Sequence, residues 1–317
     1  MTDTISYTTE EIAHILKVSK LTVYDLIKKG VLPSYRVGRQ IRVDAHDLET
    51  YKDQAKGGKT PVKSETRVTA VHSEGPKPVA TSTRQIIISG QDISLDILAN
   101  YIEKKSTTIR PLRSYAGSLN SLVAMYQGKA DVVSTHLYDG DTGAYNLPYI
   151  RRILVGHSYI VINLLSRWEG FYVQKGNPKN IQTWADFITP GITMVNREKG
   201  SGARVLIDEH LRLSGISPYD VEGYDIEESS HIGVASKVVS GQADVGVGIE
   251  KAARLVDVDF IPIMKEHYDL VIMKTAQNAE FIELLQDIVH SDAFQNELGA
   301  IGGYDLSRTG QIIYETP

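Results

Sequence analysis

The densest grouping of residue types able to hold an anion is Asn196–Arg204, N-R-E-K-G-S-G-A-R. Arg197 and Arg204 carry permanent charge, and a guanidinium presents two parallel donors to a pair of oxygens. Ser201 and Gly202 stand where a helix should begin. The first amides of a helix have no intrahelical acceptor and sit at the positive end of its dipole, so the segment reads as an oxyanion cradle. The competing reading is an ordinary strand-to-helix turn with solvated arginines. Ser89-Gly90-Gln91, Gly117-Ser118 and Ser229-Ser230-His231 share the same character as helix starts. N-capping explains any one of these serines. Several starts converging on one point could jointly hold a tetrahedral oxyanion through many partial donors. Asp92 and Glu198 lie beside these stretches and oppose an anion unless they point away or pair with arginine. Arg113, at a strand end, and His136, just after a strand, are further cleft candidates.

Other chemistries lack their residues. The chain has no cysteine, which excludes disulfides, thiolate metal sites and a cysteine nucleophile. Its nine histidines show no H-x-x-x-H or H-E-x-x-H spacing, so no metal cation site is expected. There is no G-x-S-x-G, and Gly58-Lys59-Thr60 lacks the glycine that opens a phosphate loop. The expectation is a binding protein with no enzyme activity and no cofactor.

The elements that position these residues follow from composition and period. Of 317 residues, 42% are hydrophobic and 23% charged, which is the usage of folded globular proteins with room for more than one domain. From Gln54 to Arg84 the chain has three prolines, three glycines and no leucine, isoleucine or aromatic residue, and it cannot bury enough surface to order itself. This divides the chain into a module at 1–54, a linker at 55–84 and a large domain at 85–317. The N-terminus has no basic start followed by an apolar stretch, so no signal peptide is read and a cytoplasmic protein without membrane contact is expected.

In the small module, T-T-E-E-I-A-H-I-L-K has a threonine cap and first-turn carboxylates, and places Ile12, Ile15 and Leu16 on one face. Ser19 caps a second helix from Lys20 to Lys29, which turns Val23, Leu26 and Ile27 inward. Lys20, Thr22, Tyr24, Asp25 and Lys28 form its outer face. L-P-S-Y-R-V-G-R-Q-I-R-V then reads as a basic hairpin around Gly38, and Asp44 caps a closing helix. These residues, 7–53, resemble the excisionase and MerR-like winged helix-turn-helix family. The resemblance implies double-stranded DNA as partner. Ser19, Lys20, Thr22, Tyr24 and Lys28 would lie on the helix entering the major groove, and Arg36, Arg39 and Arg42 near phosphates. Leu21 and Asp25 depart from the family, where basic residues are common. Residues 1–56 hold nine Lys or Arg against eight Asp or Glu, a net of only +1, so tight binding calls for a homodimer or higher oligomer.

The large domain alternates strands and helices, then repeats the pattern, which argues an α/β architecture of two lobes. Lobe I is read at about 85–165 and 265–317, and lobe II at about 166–264. A short strand is expected at Val221–Tyr224 and one closing helix from Ala279 to about Leu298. Residues 86–315 resemble the type II periplasmic-binding-protein-like domains fused to helix-turn-helix modules, relatives of molybdate and tungstate binders. The resemblance rests on I-S-G-Q-D, L-R-S-Y-A-G-S-L-N-S-L, the pair G-K-A-D-V-V and G-Q-A-D-V-G-V-G-I-E, Y-N-L-P-Y-I-R-R, V-N-R-E-K-G-S-G-A-R and G-G-Y-D-L-S-R-T-G. It implies a transcription regulator with molybdate or tungstate as effector. Ser89, Gly90, Gln91, Ser118, Arg197, Ser201, Gly202, Arg204, Ser230 and His231 are the residues expected to hold it. The alternatives are a small organic acid or molybdenum-cofactor-related compound in the same cleft, or an excisionase-type DNA accessory protein.

Overall fold

The computed structural model describes residues 6–28, 31–37, 40–55 and 83–317. The chain divides into two compact units, Met1–Lys77 and Pro78–Pro317. The division falls in the stretch read as a linker, most of which lies outside the described residues.

In the first unit, β1 (Ser6–Thr8) leads into α1 (Thr9–Leu16) through a reciprocal cap. The Glu11 amide donates to Thr8 Oγ1 at 3.3 Å, and the Thr8 amide donates to the Glu11 carboxylate at 2.7 Å. Lys17 turns left-handed and ends the helix. The Thr22 amide then donates to Ser19 Oγ at 3.1 Å at the start of α2 (Lys20–Lys28). β2 (Tyr35–Val37) pairs antiparallel with β3 (Gln40–Asp44), whose other edge takes β1, and α3 (Ala45–Ala55) follows. Gly38 and Arg39 lie outside the described residues. Ile12, Val23, Leu32, Val43 and Leu48 form the core. Ile15, expected to share it, is 40% exposed, because Ala13 and Leu16 complete the buried face of so short a helix.

The second unit is one continuous nine-stranded sheet bent into two lobes. In lobe I, β4 (Arg84–Ser89) is followed by α4 (Ser94–Lys105), β5 (Ile109–Ser114), α5 (Ser118–Tyr126) and β6 (Val132–Thr135). β4 pairs parallel with both β5 and β6. A small hairpin, β7 (Tyr138–Asp139) and β8 (Ala144–Tyr145), and α6 (Leu147–Ile153) lead to the first crossing strand, β9 (Tyr159–Val173). In lobe II come β10 (Met194–Arg197), α7 (Gly202–Leu213), β11 (Glu227–Glu228), α8 (His231–Val239), β12 (Val245–Ile249) and α9 (Glu250–Val256). The second crossing strand, β13 (Asp259–Met273), returns to lobe I, where α10 (Ala279–His290), α11 (Asp292–Ile301) and β14 (Ile312–Glu315) close the domain.

β9 and β13 are each 15 residues long and pair antiparallel with one another. β13 continues onto β6 at one end, and β9 onto β12 at the other, so both lobes share them. The near-continuous apolar run of β9 fits a strand covered on both faces, and β13 is buried in the same way from Tyr268 to Ile272, its first half being partly exposed. The core of lobe I centres on Ile88, Leu98, Ile162, Leu270 and Phe281, and that of lobe II on Phe171, Phe187, Met194, Leu206 and Val247.

Three local expectations differ. The closing helix is two helices, because Ser291 adopts extended backbone angles and its hydroxyl donates to the Ile288 carbonyl at 2.7 Å. The strand expected at Val221–Tyr224 forms instead at Glu227–Glu228, since Gly223, at φ +82°, turns the chain just before it. Ser89-Gly90 does not open a helix. Ser89 ends β4, and the Ser94 amide donates to Asp92 Oδ1 at 2.7 Å where α4 begins.

Candidate ligand-binding site

Between the lobes lies a cavity of about 520 Å³. Gly90 and Gln91, with Gly117 and Ser118 at the head of α5, bring lobe I to it, and Ser230 and His231, at the head of α8, bring lobe II. Arg167 and Tyr268, from the midpoints of β9 and β13, lie between the two lobes. Ile93, Tyr115, Ile232 and Leu255 give the cavity an apolar wall.

The structure brings only part of the expected set to this cavity. Gly90, Gln91, Ser118, Ser230 and His231 line it. Ser89 is buried behind it, hydrogen-bonded to the Ser121 hydroxyl at 2.9 Å. Arg197, Ser201, Gly202 and Arg204 are not among the lining residues. Arg197 is 1% exposed and is satisfied by Glu198, Gln91 and the carbonyl oxygens of Glu228 and Ser229. Arg204 is satisfied by Asp208 at 3.0 Å and Glu227 at 2.9 Å, with its guanidinium over the Tyr224 ring. Ser201 Oγ accepts the Arg204 amide at 3.2 Å, the capping role. Gly202 packs under the His136 ring. Arg113, too, turns away, donating to Asp96 at 2.8 Å and to two carbonyls of lobe I.

The N-R-E-K-G segment joins the lobes instead. Arg197 donates to Gln91 Oε1 at 2.8 Å, and Gln91 donates to Glu198 at 2.9 Å. The Leu119 amide at the head of α5 donates to the Gly200 carbonyl at 3.0 Å. These bonds cross one edge of the cleft and hold it closed there.

At the floor is a buried charged network. Arg167, 4% exposed, pairs with Asp92 through Nη1 and with Glu266 through Nε, and stacks its guanidinium 4.7 Å from the Tyr268 ring centre. Glu266 Oε2 lies 2.7 Å from His136 Nδ1. Tyr304 donates its hydroxyl to Asp92. Asp92 and Glu198, which stood against an anion in the sequence, are thus both paired with arginine. Glu169, two residues along β9 from Arg167, is 1% exposed; no N–H or hydroxyl donor among the described residues reaches its carboxyl group, whose one polar partner is the Glu266 carboxyl.

Burial sets the charge states. Burial and the neighbouring Glu266 hold the Glu169 carboxyl well above the usual carboxylate range. Burial also opposes charge on Glu266, but Arg167 and His136 outweigh it and hold that carboxyl well below its ordinary value. His231 is pushed well below the usual histidine value by burial and by Arg197 and Arg167, and is neutral. Lys251, on the cavity wall, is lowered by burial, and its ammonium lies 5.3 Å from the Tyr304 ring centre. The site therefore offers helix-head amides, hydroxyls, Arg167 and Lys251 to an anionic group, and aliphatic and aromatic surface to the rest of a ligand.

Sequence reasoning missed Arg167, Glu169, Lys251, Glu266, Tyr268 and Tyr304. The signal for four of them was present: charged and hydroxyl side chains interrupt the two long apolar runs at their centres, where strands buried on both faces should exclude them.

On the helix-turn-helix unit, Thr22 is exposed, Tyr24 is 41% exposed, and Lys20 pairs with Glu10 across α1 and α2. Arg42 on β3 reaches Ser6 at 3.3 Å. Ser19 caps α2, and its hydroxyl also lies 2.8 Å from that of Thr22. Lys28 and Arg36 stand on α2 and β2, with side chains outside the described set, and Arg39 lies outside the described residues.

Comparison with known proteins bears on both units. The PBP superfamily domain matches residues 99–290 and a helix-turn-helix domain matches residues 6–56. The uncharacterized protein YvgK of Bacillus subtilis (strain 168) is 50% identical over 320 residues, covering 100% of each chain. An ABC transporter substrate-binding protein from Clostridium perfringens, solved with bound phosphate, superposes with a TM-score of 0.51 at 13% identity, over 70% of this chain and 99% of that one. The sulfate-binding protein SubI of Mycobacterium tuberculosis H37Rv superposes at 0.50 and 14% identity, over 69% and 86%. At these identities the likeness is one of fold.

Proposed function

The chain belongs to the PBP superfamily and carries a helix-turn-helix domain ahead of its PBP domain, and from this we propose a one-component regulator that senses a small oxyanion. Coarsely, the domain pair makes a ligand-binding, DNA-binding regulator. The finer reading, molybdate or tungstate as effector, rests on the sequence resemblance. The observation that carries the anion reading is the meeting of two helix heads, Gly117-Ser118 and Ser230-His231, from opposite lobes over Arg167. The solved relatives with bound phosphate or named for sulfate support an anion in this fold.

In this reading the anion joins the lobes and stabilises their closed form, and closure in a cytoplasmic homodimer changes how two DNA-binding units meet their half-sites. The shift in DNA affinity is bounded by the ligand's preference for the closed form. The test is thermal melting of the full chain against molybdate, tungstate, sulfate, phosphate and small organic acids. A ligand at 100 times its Kd stabilises by about 2.7 kcal/mol. A selective shift with one oxyanion, together with altered operator affinity, is expected; no response to any oxyanion overturns the reading.

A small organic acid is the second reading, favoured by the apolar wall of Ile93, Tyr115, Ile232 and Leu255. A cavity of about 520 Å³ also falls in the range that accommodates organic ligands. Melting shifts with the organic acids, undiminished by excess molybdate, would select it.

A further inference from the structure

The floor of the cleft holds a feature that anion binding does not use. His136, Glu169 and Glu266 each turn one ligand-type atom toward a common point, all within 4.8 Å of one another, and all three residues are buried. They come from three separate places: the end of the β6 segment, the middle of β9 and the middle of β13. We propose that these three residues form a binding site for one divalent transition-metal ion.

Three observations point there. First, the donor set is one imidazole and two carboxylates, which suits zinc, iron, manganese or cobalt rather than calcium or magnesium, whose sites are built from oxygen alone. Second, the spacing is close to that of a filled site. Ligand atoms around a tetrahedral ion with bonds of about 2.1 Å stand about 3.4 Å apart; His136 Nδ1 and Glu266 Oε2 are already 2.7 Å apart, and no pair in the set has to close by more than roughly 1.4 Å. Third, Glu169 is 1% exposed, and no N–H or hydroxyl donor among the described residues reaches either of its oxygens. Its one polar partner is the Glu266 carboxyl group. Two buried carboxyl groups set against each other beside a histidine are an arrangement that a bound cation would hold together.

The neighbours fit the role. Arg167 occupies Oε1 of Glu266 and leaves Oε2, the oxygen toward His136, for the ion. Orienting a ligating carboxylate in this way is the usual work of groups behind a metal site. The charges also balance. Arg167 is the positive partner of Asp92 and Glu266, and Glu169 is the third carboxyl group of the network. A divalent ion supplies the two charges that Arg167 cannot. His136 lines the cavity, which gives the ion a path from solvent. When the ion binds, its ligand atoms must be free of protons: a proton on the His136 nitrogen that binds it passes to the other ring nitrogen, and a proton held between the Glu169 and Glu266 carboxyl groups leaves to solvent.

The proposal stands apart from the anion reading, and its test uses metal alone. Full-length protein stripped with chelator is titrated with Zn(II) by calorimetry and with Co(II) by visible absorption, no oxyanion being present. One ion per chain is expected, with a Co(II) spectrum of low coordination number. Glu169→Gln should weaken binding by about tenfold or more, since even groups behind a metal site contribute 10 to 100-fold. Glu169→Gln removes a buried acid without changing shape, and its fold is checked by tryptophan fluorescence; Glu266→Gln is the alternative if it fails to fold. Absence of a stoichiometric ion, or an affinity unchanged in the folded variant, overturns the site. Oxyanion melting shifts measured in chelator test the other reading separately.

Discussion

Arg167→Met removes the one cation at the centre of the floor and keeps most of its volume. Arg167 is 4% exposed and pairs with two carboxylates that are themselves buried, Asp92 at 8% and Glu266 at 0%. Breaking a buried pair by deleting one partner costs about 3–5 kcal/mol, because the remaining charge is stranded. Two carboxylates share this arginine, so we expect about 4 kcal/mol or more. Asp92 keeps the Ser94 amide and the Tyr304 hydroxyl, and Glu266 keeps His136, which limits the loss. For a domain of this size each kcal/mol lowers Tm by about 2–4 °C, giving a fall of about 8–16 °C. The assay isolates the right unit, because the chain's two tryptophans, Trp168 and Trp184, both lie in Pro78–Pro317. Fluorescence melting of full-length protein therefore reads that domain. The decisive control adds Asp92→Asn and Glu266→Gln. If the penalty is stranded charge, the triple variant recovers at least half of the loss despite carrying more substitutions. A single-variant loss under about 1 kcal/mol, or a triple variant no more stable than Arg167→Met, refutes the argument.

Three further outcomes follow from other parts of the molecule. Gly117 has an ordinary φ of −66°, but a Cβ there would stand 2.6 Å from the Gly200 carbonyl and 2.8 Å from Ser201 Cα. Gly117→Ala should thus cost about 1–3 kcal/mol and speed hydrogen exchange of the Leu119 amide, whose bond to Gly200 joins the lobes; unchanged exchange would sink that role. His231 and His210 are both held below the usual histidine value, first of all by burial, so the unfolded chain binds more protons below pH about 6.5. Stability should fall as pH drops through that value, by at most about 1.4 kcal/mol per pH unit for each histidine, and His231→Asn should flatten the slope. A Tm indifferent to pH between 7 and 5.5 would contradict both assignments. Arg42→Ala should weaken DNA binding uniformly across sequences and reduce the salt-dependence slope by about 1, measured by fluorescence anisotropy over a salt series; a slope equal to that of the unaltered chain would remove Arg42 from the phosphate contacts.

Local rules carried much of this protein. The threonine cap of α1, the Ser19 start of α2, the hairpin that follows and most of the order of strands and helices after Arg84 could be read from spacing, because each depends on residues a few positions apart. The convergence of Ser118 and Ser230 could be anticipated too, since helix heads in a two-lobed α/β fold point at the cleft. What residue types could not settle was which charges would already be satisfied. Arg197 and Arg204 looked like anion donors in their own segment, yet Glu198, Asp208 and Glu227 satisfy them once the chain has folded. Conversely Arg167, Glu169 and Glu266 lie within two apolar runs, Arg167 and Glu266 99 residues apart, and only the antiparallel register of β9 and β13 sets Arg167 opposite Glu266. Pairing between distant strands is fixed by the packing of the whole sheet, not by local spacing, so the chemistry of the floor is a property of tertiary structure.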